Sequence, residues 1–262
     1  MISFVHVGPT RVRVRIEGDG PPLLMIMGIG GNLDMWSPLA ERLAGRRLIM
    51  FDFPGTGASG ASYLPPTMGS NALFTRHLLR TLGFDRVDVL GYSWGGVLAQ
   101  HLAIQHPRAV GRLVLAATTV GLGGKPPSLR VTGRMLTPRR YYSREYFTRI
   151  AAEIYGGRFR IDTELTNDEA NRRIAHPPGL VGYTAQLLAL AGYSTIPGLP
   201  FVVAPTLVIG GDDDPIVPTV NQRILARLIR GAQLHIVPGA GHLFLFDSPE
   251  LATPLIADFL AG

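Results

Sequence analysis

The sequence predicts an α/β fold with a mostly parallel, eight-stranded sheet, helices on both faces of the sheet, and an inserted helical cap. Short apolar runs alternate with helix-like segments in the first part of the chain and again towards its end, as in chains that build parallel sheets. Between these parts, residues 120–200 contain helix-like pieces and Gly/Pro turns but no convincing strand. We therefore expect a core of residues 1–119 and 201–262, with the cap at residues 120–200.

Eight segments are predicted to be strands. Residues 2–7 and 11–16 form a predicted hairpin, because the second segment alternates Arg with apolar residues at the strand period. The other predicted strands are short apolar runs at 23–27, 48–51, 86–91, 112–117, 206–210 and 233–237.

Helices are predicted between most of these strands. Asn32 is a plausible cap for a helix from residue 33 to about 43, and Ser248 is the expected cap of the last helix, which has Pro249 in its first turn. The remaining predicted helices cover 68–82, a segment from Val97, 180–191 and 220–229.

Composition excludes several classes of protein. The chain is 46% hydrophobic and 17% charged, which is typical of a globular protein and not of a disordered one. It has no Cys, so neither disulfides nor thiolate metal sites are possible. The net charge of +6 comes from scattered Arg without a long basic run, so we expect no nucleic-acid partner. We expect the Arg139-Arg140 pair to be a solvated face or a phosphate contact.

The location of the protein is predicted from its apolar segments. Residues 179–211 carry no charge, but Pro197, Pro200 and Pro205 divide them into pieces too short for a transmembrane helix. Several Arg residues precede the first strong apolar run, which is unlike a secretory signal. We therefore expect a soluble, cytoplasmic protein.

A candidate nucleophile follows the predicted strand 86–91. Ser93 lies in Gly91-Tyr92-Ser93-Trp94-Gly95, directly before a run of good helix formers. This is the G-x-S-x-G pattern of a nucleophile elbow, in which a strained turn pushes the Ser hydroxyl clear of the sheet. The alternative is a glycine-rich turn with an incidental Ser, so the rest of the chain must supply the partners that a nucleophile needs.

A nucleophilic Ser needs a general base, and His242 has the most suitable position. It follows the strand 233–237 within Gly239-Ala240-Gly241-His242, so we expect it on a loop at the carboxyl edge of the sheet. Sites of open α/β sheets lie at that edge. A lone His is more often structural, but the other His residues lack this setting.

The base in turn needs a carboxylate that orients it. Asp212, Asp213 and Asp214 follow the strand 206–210 at the same edge, and Asp214, which Pro215 follows, is our choice. The other two are expected to cap the turn or to be solvated. Three crowded carboxylates could instead form a metal site, but no cluster of His or Glu accompanies them, so we expect no metal.

Attack of a Ser hydroxyl on a carbonyl group also requires N–H donors for the oxyanion that forms in the transition state. One is expected from the backbone of Trp94, directly after the nucleophile. The other is expected from Ile29, in the glycine-rich turn Gly28-Ile29-Gly30-Gly31 that follows a predicted strand.

A second glycine motif has no predicted function. Residues 55–60, Gly-Thr-Gly-Ala-Ser-Gly, match the G-x-G-x-x-G pattern, but the dinucleotide fingerprint opens a helix at once. Here Pro65 and Pro66 follow instead. We therefore expect no nucleotide cofactor, and no cofactor of any other kind.

Together these motifs resemble those of the α/β-hydrolase superfamily, from about residue 20 to the C-terminus. The resemblance implies the α/β-hydrolase fold and a site whose members occur in the family's order Ser…Asp…His. The positions that match are Ser93, Asp214 and His242 for the catalytic triad and Ile29 and Trp94 for the oxyanion hole. Met27 departs from the family, since many members have His there.

The sequence is most similar to the intracellular poly(3-hydroxyalkanoate) depolymerases of the medium-chain-length type. The matching motifs include the turns around Ile29, Ser93, Asp214 and His242. They also include two pieces of the predicted cap, Pro138-Arg139-Arg140-Tyr141-Tyr142 and Ile154-Tyr155-Gly156-Gly157-Arg158-Phe159-Arg160. This resemblance implies a polyester or apolar ester substrate and suggests the surface of a storage granule as a further partner.

The resulting hypothesis is a serine ester hydrolase that cleaves poly(3-hydroxyalkanoate) or its oligomers through an acyl-enzyme. A carboxylesterase or lipase-like hydrolase of small apolar esters and a C–C bond hydrolase would use the same triad, and a binding protein on this scaffold is a third class. An apolar acyl chain would suit uncharged side chains of the cap, although these could equally be ordinary packing: Tyr183, Leu187, Leu188 and Tyr193.

Overall fold

An eight-stranded sheet runs through the protein, which a computed structural model describes over residues 2–262. Its strands lie in the order β1-β2-β4-β3-β5-β6-β7-β8. The pairings β1 with β2 and β2 with β4 are antiparallel, and the other five are parallel. The strands are β1 Ile2–Val7, β2 Thr10–Glu17, β3 Pro22–Ile26, β4 Arg47–Phe51, β5 Val87–Tyr92, β6 Val110–Ala116, β7 Thr206–Gly211 and β8 Gln233–Val237. The predicted sheet is therefore confirmed, with strand bounds that differ by at most two residues.

Helices cover both faces of this sheet. Successive side chains of β3 point to opposite faces, so Leu23 and Met25 join one buried apolar cluster while Leu24 and Ile26 join the other. The helices are α1 Ser37–Ala40, α2 Met68–Thr81, α3 Trp94–Gln105, α4 Leu129–Met135, α5 Arg144–Tyr155, α6 Thr163–Ala175, α7 Leu180–Leu190, α8 Val220–Leu228, α9 Phe244–Asp247 and α10 Pro249–Ala261.

The strand order brings the candidate residues together. The chain passes from β3 to β4 on one side and returns to β5 on the other side of β3. The loops after β3 and β5 therefore lie side by side where the order reverses, which is the usual place for a site in an open α/β sheet. The loops after β7 and β8 end at the same edge.

A helical insertion, residues 117–205, separates β6 from β7 and contains α4 to α7. Within the described part of the chain it forms no strand, and its only β-type pairings are isolated bridges such as that between Gly121 and Ser194. The predicted division of the chain at residues 120 and 200 stays a prediction.

Two helix predictions are wrong in detail. The helix predicted from residue 33 to about 43 is instead a 3₁₀ turn, Leu33–Trp36, followed by the short α1. Asn32 does cap this turn, but Pro38 has no N–H and starts a new helix instead of continuing one. Ser248 precedes α10 without a side-chain capping bond, because the N–H of Leu251 donates to the main-chain carbonyl of Ser248 at 3.0 Å.

Candidate active site

Ser93 occupies a strained turn between β5 and α3. Its backbone has φ 53° and ψ −118°, a left-handed conformation that side chains other than glycine rarely adopt. The flanking glycines are required by close packing: a Cβ on Gly91 would lie 2.6 Å from the Cβ of Ala99, and one on Gly95 would lie 2.1 Å from the carbonyl oxygen of Ile26. The strand and the helix can therefore approach closely enough to present the Ser93 hydroxyl above the sheet edge.

The three predicted triad side chains form a hydrogen-bonded chain. The Nε2 atom of His242 lies 3.0 Å from the Oγ of Ser93, and its Nδ1 lies 2.7 Å from the Oδ2 of Asp214. All three residues are buried. A base within hydrogen-bond reach of a hydroxyl, oriented by a carboxylate on its other nitrogen, is the arrangement that nucleophilic catalysis requires.

The three neighbouring aspartates have different partners. The second carboxylate oxygen of Asp214 accepts hydrogen bonds from the N–H groups of Ile216 (2.9 Å) and Val217 (2.8 Å), which fix its orientation. Asp212 accepts from a backbone N–H of the loop after β8. Asp213 pairs with Arg160, whose guanidinium lowers the pKa of that carboxyl. Within residues 2–262, no group of three or more His, Asp or Glu side chains could hold a metal ion.

The loop that carries His242 is held from both sides. The N–H of His242 donates to the carbonyl of Tyr155 at 2.7 Å, and the Tyr92 hydroxyl donates to the carbonyl of His242 at 3.0 Å. Burial raises the pKa of Tyr92 well above its ordinary value, so this hydroxyl keeps its proton. Tyr155 belongs to the helical insertion, and its role in supporting His242 was not predicted from the sequence.

The predicted oxyanion donors belong to backbone segments that adjoin Ser93. A Cβ on Gly28 would come within 3.2 Å of the Cβ of Ser93, so the turn that carries Ile29 packs directly against the nucleophile. Among the hydrogen bonds of residues 2–262, the N–H groups of Ile29 and Trp94 have no acceptor. Both are therefore available to a ligand.

Helix α7 of the insertion is bonded to both of these donor segments. The side-chain oxygen of Gln186 accepts from the N–H of Gly30 at 2.8 Å, and its main-chain carbonyl accepts from the indole N–H of Trp94 at 2.9 Å. The helix also approaches the turn after β4 very closely: a Cβ on Gly182 would lie 1.9 Å from the carbonyl oxygen of Gly55. None of these three contacts was predicted from the sequence.

The space above Ser93 is small, and residues of the helical insertion form part of its wall. It has a volume of about 20 Å³, which accommodates about one water molecule. Apolar groups contribute most of its wall, but two arginines of the insertion, Arg140 and Arg173, also line it. This volume is too small for an ester substrate, so residues that line the space must move before one can bind.

The prediction that Arg139-Arg140 forms a solvated face is wrong for Arg140. Arg139 is exposed, but Arg140 is only 1% exposed and lies above the active site. Burial lowers the pKa of Arg140, but its interactions with Tyr155, Tyr141 and Tyr183 outweigh this effect and hold the pKa above its ordinary value. The guanidinium is therefore charged.

None of the four side chains predicted to contact the acyl chain lines this small cavity. Tyr183 is buried and its hydroxyl is bonded to the carbonyl of Met135, while Leu187 packs against the buried apolar cluster. Tyr193 lies against His101, on the outer side of α3. Leu188 lines a separate groove of about 700 Å³ between α7 and the loop after β4.

With this geometry established, comparisons with known proteins place the chain in a family. A family profile described as alpha/beta hydrolase fold matches residues 21–249. The chain belongs to the α/β-hydrolase family and is a hydrolase. No helix within residues 2–262 is long and apolar enough to cross a membrane.

The chain is also similar to individual proteins of this fold. The chain is 42% identical to a poly(3-hydroxyalkanoate) depolymerase from Ectopseudomonas oleovorans, over 98% of this chain and 91% of that protein. It is 28% identical to a 2-hydroxy-6-oxo-6-phenylhexa-2,4-dienoate hydrolase from Burkholderia cepacia, over 96% and 92% of the two chains. Among solved structures, an esterase from Exiguobacterium antarcticum superposes with a TM-score of 0.87 at 22% identity and full coverage of both chains. The predicted resemblance to poly(3-hydroxyalkanoate) depolymerases is confirmed.

Proposed function

We propose that this protein is a serine hydrolase that cleaves the ester bonds of poly(3-hydroxyalkanoate) or of its oligomers through an acyl-enzyme. The hydrogen-bonded chain from Ser93 through His242 to Asp214 is the observation that carries this proposal. The 42% identity to the depolymerase of Ectopseudomonas oleovorans supports the choice of substrate.

In the first half of the proposed reaction, the Oγ of Ser93 attacks the ester carbonyl carbon and its proton passes to the Nε2 of His242. Asp214 stabilises the imidazolium that forms and holds its ring orientation. The N–H groups of Ile29 and Trp94 stabilise the oxyanion, and one such donor contributes about 3 kcal/mol in other enzymes.

The second half of the reaction regenerates the enzyme. The C–O bond of the ester breaks, His242 gives its proton to the departing hydroxyl group, and the acyl group stays on Ser93. A water molecule then attacks the acyl carbon while His242 accepts its proton, and the carboxylic acid leaves.

Replacement of the nucleophile tests this mechanism. We expect Ser93→Ala to lower kcat for 3-hydroxyalkanoate oligomers by a factor on the order of 10⁴ to 10⁶, because the oxyanion hole alone gives little rate. Asp214→Asn should cost about 10⁴-fold, since it leaves His242 in the wrong tautomer. Release of 3-hydroxy acids from the oligomers measures both effects.

Asp212→Asn is the matched control, because Asp212 bonds only a backbone N–H outside the triad. We expect it to keep kcat within a few-fold of the wild-type value. Ester cleavage by Ser93→Ala at the wild-type rate would contradict the mechanism.

A C–C bond hydrolase is the second candidate, and the identity of 28% to the dienoate hydrolase of Burkholderia cepacia favours it. A carboxylesterase of small apolar esters would use the same residues. Comparing kcat/KM for hydroxyalkanoate oligomers, short soluble esters and a 2-hydroxy-6-oxodienoate decides among the three. The cytoplasmic location and the granule partner stay predictions from the sequence.

A further inference from the structure

Arg140 is a buried cation without a carboxylate partner. It is 1% exposed, and its Nη1 donates to two neutral oxygens, the carbonyl of Thr137 at 3.2 Å and the hydroxyl of Tyr183 at 2.8 Å. Its Nε is buried and has no acceptor. The rings of Tyr141 and Tyr183 lie 4.8 Å and 5.4 Å from its guanidinium carbon and favour the charged form, but they do not neutralise the charge. An anion that enters this place would therefore find a charged, incompletely bonded donor.

The neighbouring tyrosines cannot supply that anion. Burial raises the pKa of Tyr183 to about 12 and also raises the pKa of Tyr155, so both hydroxyl groups keep their protons. The proton of Tyr183 is donated to the carbonyl of Met135, which leaves only its oxygen lone pairs for Arg140.

Arg173 is a second buried cation in the same place. It is 2% exposed, and its Nε donates to Glu169 at 2.9 Å, but among the hydrogen bonds of residues 2–262 its two terminal nitrogens have no acceptor. Glu169 is also paired with Arg172 at 3.6 Å. The buried carboxylate of Glu169 therefore forms ion pairs with Arg172 and Arg173, and it does not balance the charge of Arg140.

Both arginines line the same small cavity as Ser93, His242 and Ile29. A ligand bound for attack by Ser93 would therefore have guanidinium groups next to it. Guanidinium groups bind carboxylates in a planar, often bidentate geometry that an amide or a neutral ester does not reproduce.

We propose that Arg140 and Arg173 form a subsite that binds the free carboxylate of a carboxyl-terminated hydroxyalkanoate chain while Ser93 attacks the ester bond next to it. This inference rests on the proposed function and specifies its substrate. The carboxyl carbon of the terminal unit is only three bonds from the ester oxygen, so a carboxylate at the arginines and an ester at Ser93 can belong to the same terminal unit once the insertion has made room for them.

The proposed subsite determines which product leaves first. At the carboxyl end of the chain, attack by Ser93 forms the Oγ–acyl bond with the rest of the chain and breaks the last ester C–O bond. His242 protonates the oxygen of the departing terminal 3-hydroxy acid, and water later frees the shortened chain. The enzyme therefore removes one 3-hydroxy acid at a time from the carboxyl end.

A pair of matched substrates tests the subsite. One is the linear dimer of 3-hydroxybutyrate with its free carboxylate, and the other is the same dimer with a terminal carboxamide. We expect the wild-type kcat/KM for the acid to exceed that for the amide by about 10- to 100-fold. In Arg140→Met this ratio should fall to near one, and Arg140→Lys should keep part of it.

Arg139→Met is the control, because Arg139 is the adjacent but exposed arginine, and it should leave the ratio unchanged. A wild-type ratio near one would overturn the inference, and so would an undiminished ratio in Arg140→Met. In either case, hydrolysis that depends on Ser93 would leave the proposed function standing.

If the wild-type protein hydrolyses neither dimer, release of 3-hydroxy acids from longer oligomers decides whether the proposed function stands, and calorimetry tests the subsite separately. The probe is 3-hydroxybutyrate itself, titrated into Ser93→Ala and into Ser93→Ala with Arg140→Met. Binding that only the first variant shows would support the subsite, whereas equal binding or none by both would overturn it.

Discussion

At the residue scale, the backbone of Ser93 stores strain. Its φ of 53° and ψ of −118° are unfavourable for any side chain with a Cβ, and such positions typically cost on the order of 1–3 kcal/mol. The turn is maintained by its neighbours, since the N–H of Ser93 donates to Ala116 and its carbonyl accepts from the hydroxyl of Thr118.

Because of this strain, a glycine at position 93 should be more stabilising than an alanine. We expect Ser93→Gly to unfold with a free energy about 1 kcal/mol greater than that of Ser93→Ala, because glycine adopts positive φ without a steric penalty. Urea unfolding of the two variants measures the difference.

Ser70, inside α2, supplies the matched pair of variants. There Gly should be about 1 kcal/mol less stable than Ala, because glycine weakens a helix. If both positions prefer Ala, the strain at Ser93 is not significant.

Sequence reasoning could predict which polar residues lie close together, but not which arginines are buried. Ser93, Asp214 and His242 each follow a predicted strand, and parallel strands bring their carboxyl ends to one edge, so their proximity follows from the order of elements. Arg139 and Arg140 are adjacent and chemically identical, yet one is exposed and the other is buried. Only the packing of the helical insertion decides between them.

At the scale of elements, α7 depends on a close glycine contact. A Cβ on Gly182 would lie 1.9 Å from the carbonyl oxygen of Gly55, so any side chain there must push the helix away. We expect Gly182→Ala to destabilise the protein by about 1–3 kcal/mol, the usual cost of overpacking. It should also lower kcat, because α7 carries Gln186. Urea unfolding and ester turnover measure these effects.

Gly133→Ala is the helical control for this prediction. Gly133 lies within α4, and a Cβ there would have no neighbour within 4 Å. This substitution should stabilise the protein by about 1 kcal/mol, as expected for Ala in a helix. Similar stability of the two variants would mean that the contact of Gly182 with Gly55 is not restrictive.

The accuracy of the element predictions has a physical cause. Strands of the core are buried on both faces and appear in the sequence as continuous apolar runs, so their bounds are clear. The helix predicted after Asn32 is wrong because its cap marks only the start of a helix, whereas Pro38 has no N–H and interrupts the backbone hydrogen bonds. The close approach of Gly182 to Gly55 joins parts of the chain far apart in sequence, and no local pattern predicts it.

At the scale of the whole molecule, two histidines make stability depend on pH. Burial lowers the pKa of His101, with a further effect of His106, and burial together with Arg76 and His77 lowers the pKa of His106. The unfolded chain, with a His pKa of about 6.5, therefore binds more protons than the folded protein below that pH. Their contribution to stability is complete above about pH 6.5 and is lost as the pH falls below it.

We expect the urea midpoint of the wild-type protein to fall more between pH 7.5 and pH 5.5 than that of His101→Gln. Expressed as the free energy of unfolding, the contribution of His101 should change by less than about 1.4 kcal/mol for each pH unit, because its ring is partly solvated. His6→Gln, at an exposed position of β1, is the control and should behave as the wild type does. An identical pH response of His101→Gln and the wild-type protein would contradict this prediction.

The fold class could be predicted in full because the alternation of strands and helices repeats over the whole core. The closure of the site could not be predicted. It depends on how the helical insertion packs against the core. Contacts such as the hydrogen bond between His242 and Tyr155 determine that packing.

The two hydrogen bonds of Gln186 link the position of the insertion to the proposed order of reaction steps. They connect α7 to Gly30, next to Ile29, and to the indole of Trp94. An opening of the insertion that displaces α7 would break these bonds and remove the support of the two proposed oxyanion donors. In the proposed reaction, substrate entry and attack would therefore be separate steps, with attack after the insertion has closed again. A closed insertion would have room for the end of a chain, whereas a polymer bound at an internal ester bond would have to leave the site on both sides of Ser93.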